Sequence, residues 1–144
     1  MNVLIFVILL LALVSYAYFS KQEKEQFQTQ PLNLYGKPLE LCALFPATGA
    51  DRQGKCIADS SKHVVCAIMT KEFLDYSSSI GNDLTTRRPG FWGLREGDRW
   101  CICKDRFLQA YQANPKYTPF IIPEATHIDL LQSITMKQLE PMLV

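Results

Sequence analysis

Hydrophobic positions are spread unevenly along the chain. From Val3 to Phe19 they run almost unbroken, VLIFVILLLALVSYAYF, and positions 1–20 carry no charged side chain. As a helix this run is about 26 Å long at 1.5 Å per residue. That is slightly short of a hydrocarbon core of about 30 Å, and Ser20 and Lys21 extend its reach by snorkelling. Tyr16, Tyr18 and Phe19 fall where interfacial aromatics sit. The favoured reading is a transmembrane anchor over 1–20 that places residues 3–19 in a lipid bilayer. A signal peptide is the alternative: Val3–Val14 fits its apolar region, and Ser15-Tyr16-Ala17 has the small residues a signal peptidase accepts. A buried core helix is a third reading. Met1-Asn2 carries no Lys or Arg ahead of the run, which favours retention. Lys21 and Lys24 follow it, which puts the rest of the chain on the cytoplasmic side; cleavage of a signal would instead give a secreted protein.

The pattern then changes. Residues 21–32 form a polar linker, Gln-rich as far as Gln30, either a helical extension of the anchor or a flexible tether. Pro31 ends any helix there. The globular domain spans 33–144. Residues 46–61 read as loop, being rich in Pro, Gly, Asp and Ser. His63–Met69 (HVVCAIM) reads as a buried strand. Thr70 caps a predicted helix over Lys71–Ser79 whose apolar side is Phe73, Leu74 and Tyr76, and Gly81-Asn82-Asp83 ends it. After an irregular stretch, Gly97-Asp98 marks a turn into a strand over Trp100–Cys103. Asp105 caps a predicted helix over Arg106–Ala113, stopped by Asn114-Pro115. A short strand at Phe120–Ile122, a helix from Ile128 to Ser133 and a last turn at Met136–Leu139 follow. This order predicts an α+β domain of short strands and helices with long loops.

Composition sharpens that picture. The whole chain is 48% hydrophobic and 20% charged. Without the leader the apolar share falls to roughly 42% and the charged share rises to roughly 23%, ordinary for a globular domain. A net charge of +1 supplies no field to attract nucleic acid, so no nucleic-acid partner is expected. One segment stands apart. Arg87, Arg88, Arg95, Arg99, Lys104 and Arg106 outnumber Glu96, Asp98 and Asp105 and are interleaved with Phe91, Trp92 and Trp100. It reads either as a solvated loop with local ion pairs or as an anion-binding surface built from arginine forks.

The five cysteines are Cys42, Cys56, Cys66, Cys101 and Cys103. An odd count, in a domain large enough to bury a core without staples, argues against a complete disulfide framework. Cys101 and Cys103 flank one residue, so on a strand both point to the same face. Such a pair packs, binds a soft metal or carries thiol chemistry. A zinc set of Cys66, Cys101, Cys103 and His63 is the metal candidate, although no CxxC or HExxH supports it. On a strand His63 and Cys66 would face opposite sides. His127, at a predicted helix start, reads first as a cap.

The strings HVVCAIMTKEFLDYSSSIGNDLTT, FWGLREGDRWCIC and EATH resemble the family called domain of unknown function 2237. The resemblance covers residues 33–139 and includes Asn33–Leu39, Thr48-Gly49, Arg52-x-Gly54-x-Cys56, Gly81–Leu84 and Ala125–His127. All five cysteines and both histidines fall on positions of the family pattern. The resemblance implies no activity, and typical members lack a leader. Arg87-Arg88 and Trp92 depart from the pattern, at positions where it carries proline.

Two functional expectations follow. The first is a membrane-tethered binding or structural module, a subunit of a membrane-associated protein assembly, with Asn82, Asp83, Arg99 and Trp100 as candidate ligand contacts. The second is a thiol- or metal-dependent enzyme using Cys101 and Cys103, with His63 or His127 as base or ligand and Asp83 or Asp98 orienting a histidine or binding substrate.

Overall fold

The computed structural model describes residues 2–60 and 62–144. Met1 and Ser61, which fall in the expected leader and loop, lie outside the described residues. The chain divides into two compact units, one ending at Gln30 and one spanning Pro31–Val144.

The first unit is a single helix, α1, over Val3–Thr29. It does not stop where the apolar run stops. The next residues are Lys, Gln and Glu, all good helix formers, and Lys21 and Glu25 pair at 3.7 Å one turn apart. Of the two readings of the linker, the structure therefore takes the helical one, up to the residues just before Pro31. Within α1, Ile5–Glu25 is long and apolar enough to cross a bilayer, and none of it is buried. This helix is a membrane anchor or a signal sequence.

The second unit is an α+β domain. Its centre is a three-stranded antiparallel sheet of β1 (Val65–Ile68), β2 (Arg99–Ile102) and β3 (Phe120–Ile121), in the order β2-β1-β3. The central strand, VCAI, has no polar side chain because both its faces are covered. Alternation along the strands sorts the residues onto two faces. Val65, Ala67 and Ile102 join the main core with Phe73, Leu94, Phe107, Leu130 and Leu139. Cys66 and Cys101, cross-strand partners, join a smaller cluster with Cys42, Cys56 and Ala125.

Helix α2 (Lys71–Ser79) follows β1 directly. The Thr70 hydroxyl accepts the Phe73 N–H at 3.2 Å, the predicted cap. Replacing Thr70 by Ala is expected to cost about 1 kcal/mol, readable as a lower urea midpoint with unchanged slope.

Helix α3 starts two residues earlier than predicted, at Lys104, and runs to Ala113. Cys103, not Asp105, is its N-cap residue. The Lys104 N–H donates to the Lys62 carbonyl at 2.9 Å and the Phe107 N–H to the Cys103 carbonyl at 3.1 Å, so the chain passes from β2 into the helix without a spacer. The predicted helix over Ile128–Ser133 is a 3₁₀ helix, Ile128–Gln132, and α4 (Met136–Leu139) carries a capping box between Thr135 and Gln138.

The stretch between α2 and β2 closes on itself. The Leu94 N–H reaches the Leu84 carbonyl at 2.7 Å. Gly93, at φ +77°, lies so near Thr85 that an added Cβ would clash with its carbonyl oxygen.

Candidate active site

Four of the five cysteines are paired. Cys42 bonds Cys66 and Cys56 bonds Cys101. This corrects two expectations from the sequence. The odd count leaves one thiol over instead of excluding a framework. Cys101 and Cys103 also do not form a dithiol, because the strand ends at Ile102 and Cys103 turns away to begin α3. Two buried hydroxyls complete the disulfide face. The Cys66 N–H donates to Thr126 Oγ1 at 3.0 Å, and the Cys101 N–H to Thr48 Oγ1 at 2.7 Å.

The zinc set fails for the same reason. Metal ligation by cysteine needs a thiolate, and Cys66 and Cys101 are disulfide sulfurs. Cys103 and His63 alone fall short of the four ligands a structural zinc takes. The sulfur atoms of Cys42, Cys56 and Cys66 do lie within 4.8 Å of one another, but each is held in a disulfide.

Cys103 is the free thiol. It is half-buried, in a cleft of about 330 Å³ that it lines with His63, Asn82, Trp100 and Arg106 over an apolar floor of Phe73 and Leu84. Burial, and then the negative charge of Asp59, push its pKa above the ordinary thiol value, while Arg106 pulls the other way. The resting group is therefore a thiol.

His63 stands at the head of β1, and Asp59 holds it twice. One carboxylate oxygen accepts the His63 backbone N–H at 2.8 Å and the other meets Nδ1 at 2.8 Å. An ionised carboxylate only accepts, so Nδ1 carries a proton, and in the neutral ring the lone pair is on Nε2. Burial raises the Asp59 pKa, but the hydrogen bonds and charge of His63 outweigh it and hold the carboxyl below its usual range. Asp59 was not legible in the sequence. Its one signal, an Asp four residues before a His, lay inside a stretch read only as loop.

The other predicted site residues have local work. The Asp83 carboxylate accepts from Thr85 and Thr86, and those bonds, the Thr86 hydroxyl first, keep its pKa far below the carboxylate range. Asp98 accepts the Arg95 N–H at 2.8 Å. Neither carboxylate has a histidine among its hydrogen-bond partners. His127 Nδ1 accepts the Asp129 N–H at 3.2 Å, the capping role expected of it, and His127 does not line the cleft.

Of the ligand candidates, Asn82 and Trp100 line the cleft, whereas Asp83 and Arg99 do not. Asn82 is oriented by a 2.8 Å bond from its amide nitrogen to Ser77 Oγ. Trp100 meets Phe91 edge-on at 5.5 Å and lies under the Arg52 guanidinium at 4.9 Å. Arg87 covers Trp92 at 4.6 Å, so part of the basic segment is spent on aromatic faces. A larger groove of about 680 Å³, beside Tyr111, Lys116, Phe120 and Met142, carries no cysteine or histidine in its lining.

Fold and site together define a small disulfide-bearing α+β domain with a free thiol, a histidine and a carboxylate gathered where a strand passes into a helix. The chain belongs to the family described as "Uncharacterized protein conserved in bacteria (DUF2237)", whose pattern matches residues 32–142. No curated protein matches it.

Proposed function

We propose that the protein is a membrane-tethered binding module whose ligand seat is the cleft at the start of α3, and that the ligand is a small organic anion. The observation that carries this reading is the convergence of Arg106, Asn82 and His63 over an apolar floor of Phe73 and Leu84 in one cleft. Few polar groups over an apolar lining is the usual make-up of a small-molecule site. The first turn of α3 adds backbone N–H groups that no side chain caps.

The two disulfides bear on location. Such bonds form and persist in oxidising surroundings. That argument outweighs the orientation bias of Lys21 and Lys24, so the reading places the domain on the non-cytoplasmic side, with α1 retained as its anchor.

Titrating the full chain in detergent micelles with benzoate, followed by tryptophan fluorescence, tests the seat. Saturable quenching that weakens about tenfold or more in Arg106→Gln, and is unchanged in Arg95→Gln, is the expected result. Equal responses from all three proteins would remove the reading. A mature N-terminus beginning near Tyr18 would replace the anchor by a cleaved signal.

A second reading, a subunit of a membrane-associated assembly, is favoured by one observation. Leu44, Phe45 and Trp92 are 66%, 83% and 61% exposed, and the Phe45 and Trp92 rings lie 6.5 Å apart. An apolar cluster of this kind suits a protein partner.

A further inference from the structure

We infer that Cys103 is an acyl-accepting nucleophile, with His63 as its general base and Asp59 as the residue that positions the imidazole. The inference deepens the reading of the cleft as a ligand seat and rests on it. The substrate class is an activated acyl ester or thioester bearing an anionic group.

The parts of such a site are a nucleophile, a base, a group that orients the base, and donors for the developing oxyanion. The free thiol and His63 line one cleft. The 2.9 Å bond from the Lys104 N–H to the Lys62 carbonyl ties together the chain segments immediately beside them. The Asp59 carboxylate holds the Nδ1 proton, so the neutral ring is the tautomer with its lone pair on Nε2. The Arg106 side chain and the first-turn amides of α3 beyond Lys104 are the donors beside the sulfur, and they act against the negative charges of Asp59 and Asp105. Proton transfer accompanies attack instead of preceding it, as suits a half-buried thiol held above its ordinary pKa.

The step balances without an oxidant or reductant. The thiol proton passes to His63 Nε2 as sulfur attacks the acyl carbon. The bond from that carbon to the alkoxide, phenolate or thiolate leaving group breaks, and the leaving group takes the proton back from His63. The product is a thioester on Cys103. Water, giving its proton to His63, then attacks the thioester carbon. The C–S bond breaks, the carboxylic acid leaves, and the sulfur recovers the proton from His63.

The test uses the full chain in detergent, free of added thiol, with 4-nitrophenyl acetate as probe. The expected result is a burst of nitrophenolate close to one per chain, with acetyl found on Cys103 by mass spectrometry and none formed in Cys103→Ser. In His63→Gln the acylation rate falls by about 100-fold or more. The pH–rate profile of that variant also moves to higher pH, because the rate then waits on ionisation of a thiol that burial holds above its ordinary range. Asp59→Asn slows acylation by roughly tenfold or more with an unchanged melting temperature, and Asp59→Glu restores part of the rate. Acetyl on another residue, or a His63→Gln profile that overlays the wild type, would overturn the inference. Benzoate binding read on the same preparations separates the two proposals. Saturation without acylation removes the nucleophile and leaves the seat, and loss of both removes both.

Discussion

Replacing Cys56 and Cys101 together by alanine lowers the melting temperature by roughly 15 °C, measured by calorimetry without reductant. The bridge they form spans 45 residues of sequence. Closing a loop of that size in the unfolded chain is worth about 4 kcal/mol in the chain-entropy picture, and in a domain of this size each kcal/mol moves the midpoint by about 4 °C. Cys42–Cys66, spanning 24 residues, is worth slightly less on the same scale. Both bridges seal the same face of the sheet, and all four sulfur-bearing residues are buried. Their contributions therefore do not add independently. Reduction of the wild-type protein is expected to lower the midpoint by more than either paired replacement alone. A midpoint unmoved by reductant would mean that the four cysteines are not bridged in the folded protein, and with it the argument for an oxidising location would go.

Phe107→Ala is expected to cost about 3–5 kcal/mol, read as a lower urea midpoint. Phe107 is fully buried and belongs to the main core. It lies one turn after Cys103 and its N–H closes the first hydrogen bond of α3. The ring therefore anchors the end of the helix that frames the cleft. Phe120→Ala is the control. That side chain, on the short strand β3, is 47% exposed, and its loss should move the midpoint by no more than about 0.5 kcal/mol. If the two replacements cost the same, the core is not where the structure puts it.

The parts of the domain that could be read from sequence are those fixed by neighbours in the chain. Thr70 and the apolar positions of α2 are one case. Val65–Ile68 is another, where a run of apolar and β-branched residues leaves little choice. The start of α3 was missed because Asp105 is the better capping residue by propensity. What decides the start is a backbone bond to Lys62, more than forty positions earlier, which no local pattern encodes. The cleft with the free thiol was half legible. Cys103 and His63 stood out as reactive types, but the pairing of Cys103 with Cys101 assumed one more strand residue than exists. The disulfide partners were not legible, since four cysteines already allow three connectivities and a fifth multiplies them. Asp59 became visible only once the loop was seen to fold its carboxylate back onto the histidine.

The segment from Cys42 to Cys56 is riveted at each end to cross-strand partners, Cys66 and Cys101. A protease cut at exposed Arg52, between those rivets, would sever the backbone without parting the halves. The upstream piece stays bound through Cys42, and the downstream piece keeps all three strands and Cys56. Such a nicked chain remains one covalent molecule as long as both bridges stay oxidised.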